Sequence, residues 1–287
     1  MGAGMAANLA RSQQRVAAFD LSPAALAAAE AAGCGVSASA AEAVREAEAV
    51  ITMLPAAAEV RRVFERDILP NAPRDALIID CSTIDVESAR ALAAAAAGVG
   101  RTFVDAPVSG GIMAAQAGTL AFMVGCDEAD FPRVQTLLAP MGRAVIRAGG
   151  PGAGQAAKIC NNMVLGISML GLCEAFALAE KLDLAPEKFF EIAAQSSAQC
   201  WSLTTYCPWP GQVPEAPSNR NYEGGFLTRL MLKDLKLAQE AAAKAGAATP
   251  LGAQAEALFA LFERLGYGAR DFSAVLQLLR GRLAELG

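Results

Sequence analysis

The chain contains no histidine among its 287 residues. A serine–histidine pair is therefore excluded, and catalytic proton transfer must fall to Lys, Asp, Glu, Cys or Tyr. The same absence argues against a transition-metal site, and none is expected. Charge is sparse as well. Charged residues make up 18% of the chain, the net charge is −5, and there is no long basic run, which argues against nucleic acid as a partner. None of the seven cysteines, at positions such as Cys34, Cys81, Cys160 and Cys173, forms a C-x-x-C pair, and most sit in apolar surroundings. That is a reduced, intracellular pattern rather than a disulfide framework or a zinc site. Residues 1–10 are too short and polar for a signal sequence. The apolar runs carry charged or polar breaks that a membrane span would avoid. A cytoplasmic protein without a membrane partner is expected.

What is present is hydrophobic residue, at 54% of the chain, enough to bury a large core over two domains. In the first half, apolar runs alternate with helical patterns. Met1–Ser12 reads as a helix. Val16–Asp20 is a short apolar run ending in an acid, followed by Ser22-Pro23 and an alanine-rich helix. Ala49–Pro55, Ala76–Ser82 and Thr102–Pro107 read as strands, separated by helices near 57–66 and 86–97. Thr119–Val124 and Ala144–Ile146 follow, with a helix at Phe131–Leu138 between them. Continuous apolar strands alternating with helices predict a parallel sheet covered on both faces.

A strand ending in an acid about 20 residues after a glycine turn marks a dinucleotide fold. Asp20 is then the ribose-binding acid, which favours NAD over NADP because a carboxylate repels the extra phosphate; a helix-capping or solvated loop acid is the alternative. The opening strand and the G-x-G-x-x-G turn of such a fold are missing, and only Met1-Gly2 stand before the first helix. The expectation is that about 8–10 further residues precede Met1 in the natural protein, and that a form starting at Met1 binds NAD poorly. Ser109-Gly110-Gly111 suits a loop that approaches a ligand closely and offers backbone N–H groups to an anion, although a simple tight turn fits equally. Asp105-Ala106-Pro107 lies at a strand end, where open α/β sheets place ligands.

The chain turns on Gly152–Leu182, GAGQAAKICNNMVLGISMLGLCEAFALAEKL. It is apolar or small almost all round, the pattern of a helix buried on most sides, and it spans roughly 40 Å. Lys158 and Asn162 are four apart and share one side of it. A buried ammonium is costly without a use, but a lysine that snorkels to water or pairs with a carboxylate also fits. Gly149, Gly150, Gly152 and Gly154 ahead of Lys158 are not a phosphate loop, since Ile159 follows the lysine and the spacing is wrong. Beyond this helix only helices are expected, at about 186–194, 227–245, 251–265 and 272–286. Between 196 and 225 runs a Pro- and aromatic-rich loop holding both tryptophans, Trp201 and Trp209. Its length and aromatic content suggest an ordered cover for a cleft. Lys233-Asp234 interrupts the next helix and reads alone as a surface ion pair; Phe226 just before it fits the core.

Taken together, these residues resemble the β-hydroxyacid dehydrogenases and, within them, the hydroxyisobutyrate subgroup, over nearly all of the chain. The matching motifs are Met1-Gly2, Met5-Ala6 and Asn8-Leu9; DAPVSGG at Asp105–Gly111; GxGQAAKxxNN at Gly152–Asn162; and KDLxLA at Lys233–Ala238. The subgroup signature is Cys200-Trp201-Ser202, Tyr206, Pro210-Gly211, Pro217-Ser218 and Tyr222–Phe226. The resemblance implies a Rossmann-like NAD-binding domain over residues 1–151, lacking its first strand, and an all-α substrate and dimerisation domain over 152–287, linked by the long helix. It implies Lys158 as the catalytic acid/base, Asn162 as a substrate ligand, and Ser109, Gly110 and Gly111 as the carboxylate site. Met1, Gly2, Asp20, Leu54, Pro55, Thr83, Phe226 and Lys233 are implied for the cofactor, NAD. One position departs from the family: Glu59 stands where related enzymes carry asparagine.

The implied reaction is NAD-dependent oxidation of a small 3-hydroxy acid, 3-hydroxyisobutyrate, to methylmalonate semialdehyde, a step of valine catabolism, by a homodimer or homotetramer. For base work near neutral pH the Lys158 pKa must fall by roughly two units or more, through burial or a nearby cation such as Lys233. Two rivals stand beside this reading. One is a sister reductase of tartronate, succinic or glyoxylic semialdehyde. The other is a non-catalytic binding module that keeps the fold.

Overall fold

Alternating burial is what builds the first unit. In the computed structural model, which describes residues 1–287, Leu77 and Ile79 of one strand face one core and Ile78 faces another. A strand buried on both sides must be covered on both sides, and this one is. Leu77 and Ile79 pack with Val104, Phe122 and Val124, while Ile78 packs with Val60, Phe64 and Leu92.

The elements in chain order are α1 (Gly2–Arg11), β1 (Ala17–Ala18), α2 (Pro23–Ala31), β2 (Gly35–Val36), α3 (Ala40–Ala43), β3 (Ala49–Thr52), α4 (Ala57–Val63), α5 (Leu69–Asn71), β4 (Leu77–Asp80), α6 (Val86–Ala97) and β5 (Phe103–Asp105). Then come β6 (Val108–Ser109), α7 (Gly111–Ala117), β7 (Leu120–Gly125), α8 (Phe131–Leu138) and β8 (Gly142–Gly149). A six-stranded sheet runs β3-β4-β5-β7-β6, with β8 on β7. β1 and β2 form a separate parallel pair. Strands β3, β4 and β5 are parallel, as expected. The far half corrects the expectation of a wholly parallel sheet: β7 runs antiparallel to β5 and β6. The reversal follows from Val108–Ser109, which reads as a glycine loop but pairs with Ala121 and Phe122 as a strand. Gly110 then caps α7, so the Ser109-Gly110-Gly111 turn leads into a helix. The strand β2 and the short helix α3 carry too few apolar residues to show in the sequence.

Helix α1 lies against α7. A Cβ on Gly4 would sit 2.8 Å from the Ala115 carbonyl carbon, so only glycine allows this approach. Asn8 closes the contact, its amide donating to the Ala115 carbonyl at 2.7 Å.

The second unit is helical: the remainder of α9 (Ala153–Lys181), then α10 (Pro186–Ala194), α11 (Trp201–Thr204), α12 (Thr228–Ala245), α13 (Pro250–Phe262) and α14 (Val275–Leu279). The chain divides into Met1–Lys158 and Ile159–Gly287, so the division falls within α9 rather than at its start. α9 is by length and composition apolar enough to cross a membrane, which corrects the reading that no such segment exists. Met169, Leu170, Leu172, Cys173 and Phe176 bury one side of it in a protein core with Met231, Phe259, Phe262 and Phe272. The expected helix over 272–286 is broken into a 3-10 turn, α14 and a second 3-10 turn. Gly281, with φ +68°, separates the last two. The 196–225 segment is ordered, with Trp209 stacked on Phe176.

Candidate active site

The carboxyl ends of the parallel strands are joined by a ladder of polar contacts. Asp80 ends β4, and its Oδ1 accepts from Thr52 Oγ1 of β3 at 2.7 Å and from Ser82 Oγ at 2.6 Å. Ser82 Oγ in turn accepts from Leu54 N at 2.8 Å. Gln155, in the first turn of α9, donates to Ser82 O at 2.8 Å and accepts from Ile84 N at 3.1 Å. The Leu54-Pro55 turn, the Ser82–Ile84 turn and the start of α9 are thereby held together. Leu54 and Thr83 are part of that assembly, and Lys158 stands three residues beyond Gln155 on the same helix. Asp80 and Ser82 were not singled out by sequence, while Gln155 stood within GxGQAAKxxNN without a role of its own. The available signal was D-x-S directly after a wholly apolar strand.

The origin of α9 is fixed by Asp105, which ends β5. Its carboxylate accepts from Gly152 N at 2.7 Å and Gln155 N at 2.9 Å. An acid on the first turn of a helix satisfies orphan amides and complements the helix dipole. Burial pushes the Asp105 carboxyl up, and these two bonds pull it back. Lys158 follows one turn later and is buried, with 7% exposure.

Asn162 comes one further turn along α9 and is 1% exposed. Its amide donates in a short hydrogen bond to Asp234 Oδ2 on α12. Asp234 is itself 2% exposed and lies 3.6 Å from Lys233 Nζ through Oδ1. This corrects the reading of Lys233-Asp234 as a surface ion pair. Asp234 falls on the stripe of Met231, Leu235 and Ala238 that packs inward, so helical spacing contained the signal. Lys233 meets a carboxylate rather than standing as an isolated cation. Phe226 is half-buried, and its N–H is held by Asp271 and Tyr206.

The remaining sequence candidates occupy more open positions. Asp20 is exposed after β1, and its Oδ1 accepts from Ser22 N at 2.8 Å. Gly2 lies 3.7 Å from Met53, through a Cβ built on it. The Met1-Gly2 end of α1 has no side-chain cap and no acid in its first turn, which suits a phosphate at a helix N-terminus. Glu59 lies in the first turn of α4, where its charge favours the helix. Ser109 ends β6, while Gly110 and Gly111 are exposed with φ of +128° and +71°. Open amides at α1, an acid beyond β1 and turns at the ends of β3 and β4 are groups of the kind a dinucleotide fold presents to its ligand.

Two family models together cover nearly all of the chain. Residues 1–150 match the NAD-binding domain of 6-phosphogluconate dehydrogenase. Residues 152–279 match the NAD-binding domain of NADP-dependent 3-hydroxyisobutyrate dehydrogenase. A solved Mycobacterium tuberculosis 3-hydroxyisobutyrate dehydrogenase with L-serine is 47% identical, with a TM-score of 0.92 over 98% of this chain and 96% of that one. The 3-hydroxyisobutyrate dehydrogenase of Pseudomonas aeruginosa is 46% identical, over 98% of this chain and 96% of its own length. An NAD-dependent L-serine dehydrogenase of the same organism is 44% identical, over 97% and 94%. On identity, coverage and fold alike, the chain belongs to the NAD-dependent 3-hydroxyisobutyrate dehydrogenase family.

Proposed function

We propose that the chain oxidises 3-hydroxyisobutyrate to methylmalonate semialdehyde, as in valine breakdown, with NAD as the oxidant. The observation that carries this reading is the buried Lys158, one helical turn ahead of a buried Asn162 that is anchored to Asp234. Lys158 in its neutral form takes the hydroxyl proton of the substrate, and as an ammonium it returns a proton to the carbonyl oxygen in the reverse direction. NAD, when bound, takes up the hydride from the hydroxyl-bearing carbon. Asn162 holds the substrate through an amide whose orientation Asp234 fixes. Ser109 with the Gly110 and Gly111 amides orients the carboxylate, which contributes by positioning.

The cofactor is assigned to the uncapped end of α1 at Met1 and Gly2, to Asp20, to the Leu54-Pro55 and Thr83 turns, and to Phe226 and Lys233. Asp20 is the reason for NAD rather than NADP. A homodimer or homotetramer in the cytoplasm completes the reading. Its support is the outward stripe of α9, where Val164 and Leu178 are exposed and apolar; sedimentation of the purified chain tests it.

A second substrate is favoured by the 44% identical relative named as an L-serine dehydrogenase. L-serine shares the carboxylate and the 3-hydroxyl, and differs only at carbon 2. The deciding experiment compares kcat/KM for 3-hydroxyisobutyrate, L-serine and the tartronate, succinic and glyoxylic semialdehydes, with NAD(H) and NADP(H). Lys158→Ala is expected to lower kcat by about 10²–10⁴-fold with an unchanged circular dichroism spectrum. Substantial residual turnover sinks the role of Lys158, and no NADH formation with any hydroxy acid sinks the enzyme reading.

A further inference from the structure

The subgroup signature of the aromatic segment has a physical centre, and it is a buried carboxylate outside every motif. Asp271 is fully buried and is approached from three separate stretches of chain. Its Oδ2 accepts from Tyr206 Oη at 2.7 Å and from Phe226 N at 2.8 Å. Its Oδ1 accepts from Ser273 N at 2.9 Å and Ser273 Oγ at 2.6 Å. Tyr206 Oη also accepts from Phe226 N, at 3.1 Å. The phenol and the carboxylate therefore share one backbone amide, that of Phe226.

The surroundings leave this arrangement little freedom. Tyr206 is stacked on Trp201, with ring centroids 4.9 Å apart, and lies 5.7 Å from Phe272. Phe272 meets the Phe226 ring edge-on at 5.7 Å. Gly225 has φ +70°, and a Cβ there would collide with both Asp271 Oδ2 and Tyr206 Oη. Leu227 bridges to Asp271, and Thr228 N donates to Arg270 O at 2.8 Å. Everything between Gly225 and the first residue of α12 is thus referred to Asp271. Burial together with the adjacent Asp271 charge raises the Tyr206 phenol well above its ordinary range, so it stays a donor.

We propose that Asp271 and Tyr206 are positioning residues for the cofactor: by holding the Phe226 amide they set the Phe226 ring and the start of α12, and so the place at which Phe226 and Lys233 meet NAD. The proposal rests on the assignment of Phe226 and Lys233 to the cofactor made above. It explains why Tyr206, Gly225 and Phe226, spread over 206–226, accompany one another. They are parts of one contact, whose carboxylate comes from position 271.

The test uses the full chain and four variants: Tyr206→Phe, Asp271→Asn, Phe226→Ala and Lys233→Ala. Tyr206→Phe keeps the ring stack and removes only the hydroxyl. Its KM for NAD is expected to rise about three- to tenfold, the fold-change that matches the net worth of one hydrogen bond. Its kcat should stay within about twofold, since no reacting atom is touched. Asp271→Asn keeps one acceptor oxygen in place of two, so it cannot serve both the Tyr206–Phe226 side and the Ser273 side, and it should raise the same KM further in whatever fraction folds. A fall in Tm for Tyr206→Phe with both KM values unchanged overturns the proposal and leaves a purely structural contact. If Phe226→Ala and Lys233→Ala leave the KM for NAD unchanged, the cofactor assignment fails, and the proposal with it. If the parent chain oxidises no hydroxy acid, the functional reading fails first, a result that direct NAD titration of parent and Tyr206→Phe separates from the other two.

Discussion

Two buried aspartates, Asp105 in the first unit and Asp271 in the second, do comparable work by different means. Asp105 receives two backbone amides, both from the start of one helix. Asp271 receives a phenol, a hydroxyl and two amides from three stretches of chain. Asp105 fixes where a regular element begins, after β5 and the sheet have already placed it. Asp271 supplies the order that a Pro- and aromatic-rich segment cannot generate from secondary structure. The teaching is that a sheet-based unit needs a carboxylate at one helix origin, whereas a segment poor in regular structure hangs on a side-chain node.

The comparison breaks most sharply under truncation. Asp271→Ala leaves two buried Ser273 donors and two half-buried donors, Tyr206 Oη and Phe226 N, to be satisfied elsewhere, against two buried amides for Asp105→Ala. At about 1–3 kcal/mol per orphaned group, less whatever relaxation recovers, Asp271→Ala is expected to cost about 4 kcal/mol or more, and Asp105→Ala about 2–6 kcal/mol and less than Asp271→Ala. Both tryptophans belong to the second unit, so urea titration followed by tryptophan emission reads that unit, with circular dichroism alongside. An Asp105→Ala loss equal to or above that of Asp271→Ala contradicts the contrast.

The pH dependence sharpens it. In both cases burial raises the carboxyl pKa, and accepted hydrogen bonds partly restore it. A carboxyl whose folded pKa lies above its unfolded one binds more protons in the native state across that interval. Its contribution is therefore most favourable below the unfolded pKa and declines as pH rises through the folded one. Replacing either residue by asparagine should remove its own share of that descending slope, measured as urea midpoints from the ordinary carboxylate range upward. A slope undiminished in both variants assigns it to another group.

The sequence conveys these two regions unequally. Apolar runs and their spacing are visible wherever burial is periodic, so α6, α8, α10 and most strands stand near their expected places. The Lys158–Asn162 pair was legible because four residues make one helical turn. Three kinds of feature were not. The antiparallel β6 hides in a glycine-flanked dipeptide. The π-helical turns at Phe64–Ile68 and Glu263–Tyr267 carry their helices just past the expected ends at 66 and 265. The third is long-range polar pairing, where Asn162 finds Asp234 72 positions away and Tyr206 finds Asp271 65 positions away. No local pattern specifies such partners; the fold must bring them together first.

A smaller node in the second unit gives the mildest expected effect. Arg280 is bound at both guanidinium ends by Glu180, at 2.7 and 3.0 Å, and lies 4.3 Å over the Trp209 ring. Arg282 also reaches Glu180, at 2.9 Å. The C-terminal end of α9 is thus clasped to the chain's last turns and to the aromatic segment. These hydrogen bonds and charges hold the Glu180 carboxyl below its usual value. Its contribution is therefore present above the ordinary glutamate pKa and lost as pH falls through the lowered one. Glu180→Gln keeps one acceptor and the shape, and Glu285 remains near Arg280 at 3.8 Å, so the cost should be only about 1 kcal/mol. It should vanish toward acid pH, opposite in direction to the Asp271 slope. A Glu180→Gln loss that grows on acidification would show that the clasp depends on packing over Trp209 rather than on charge.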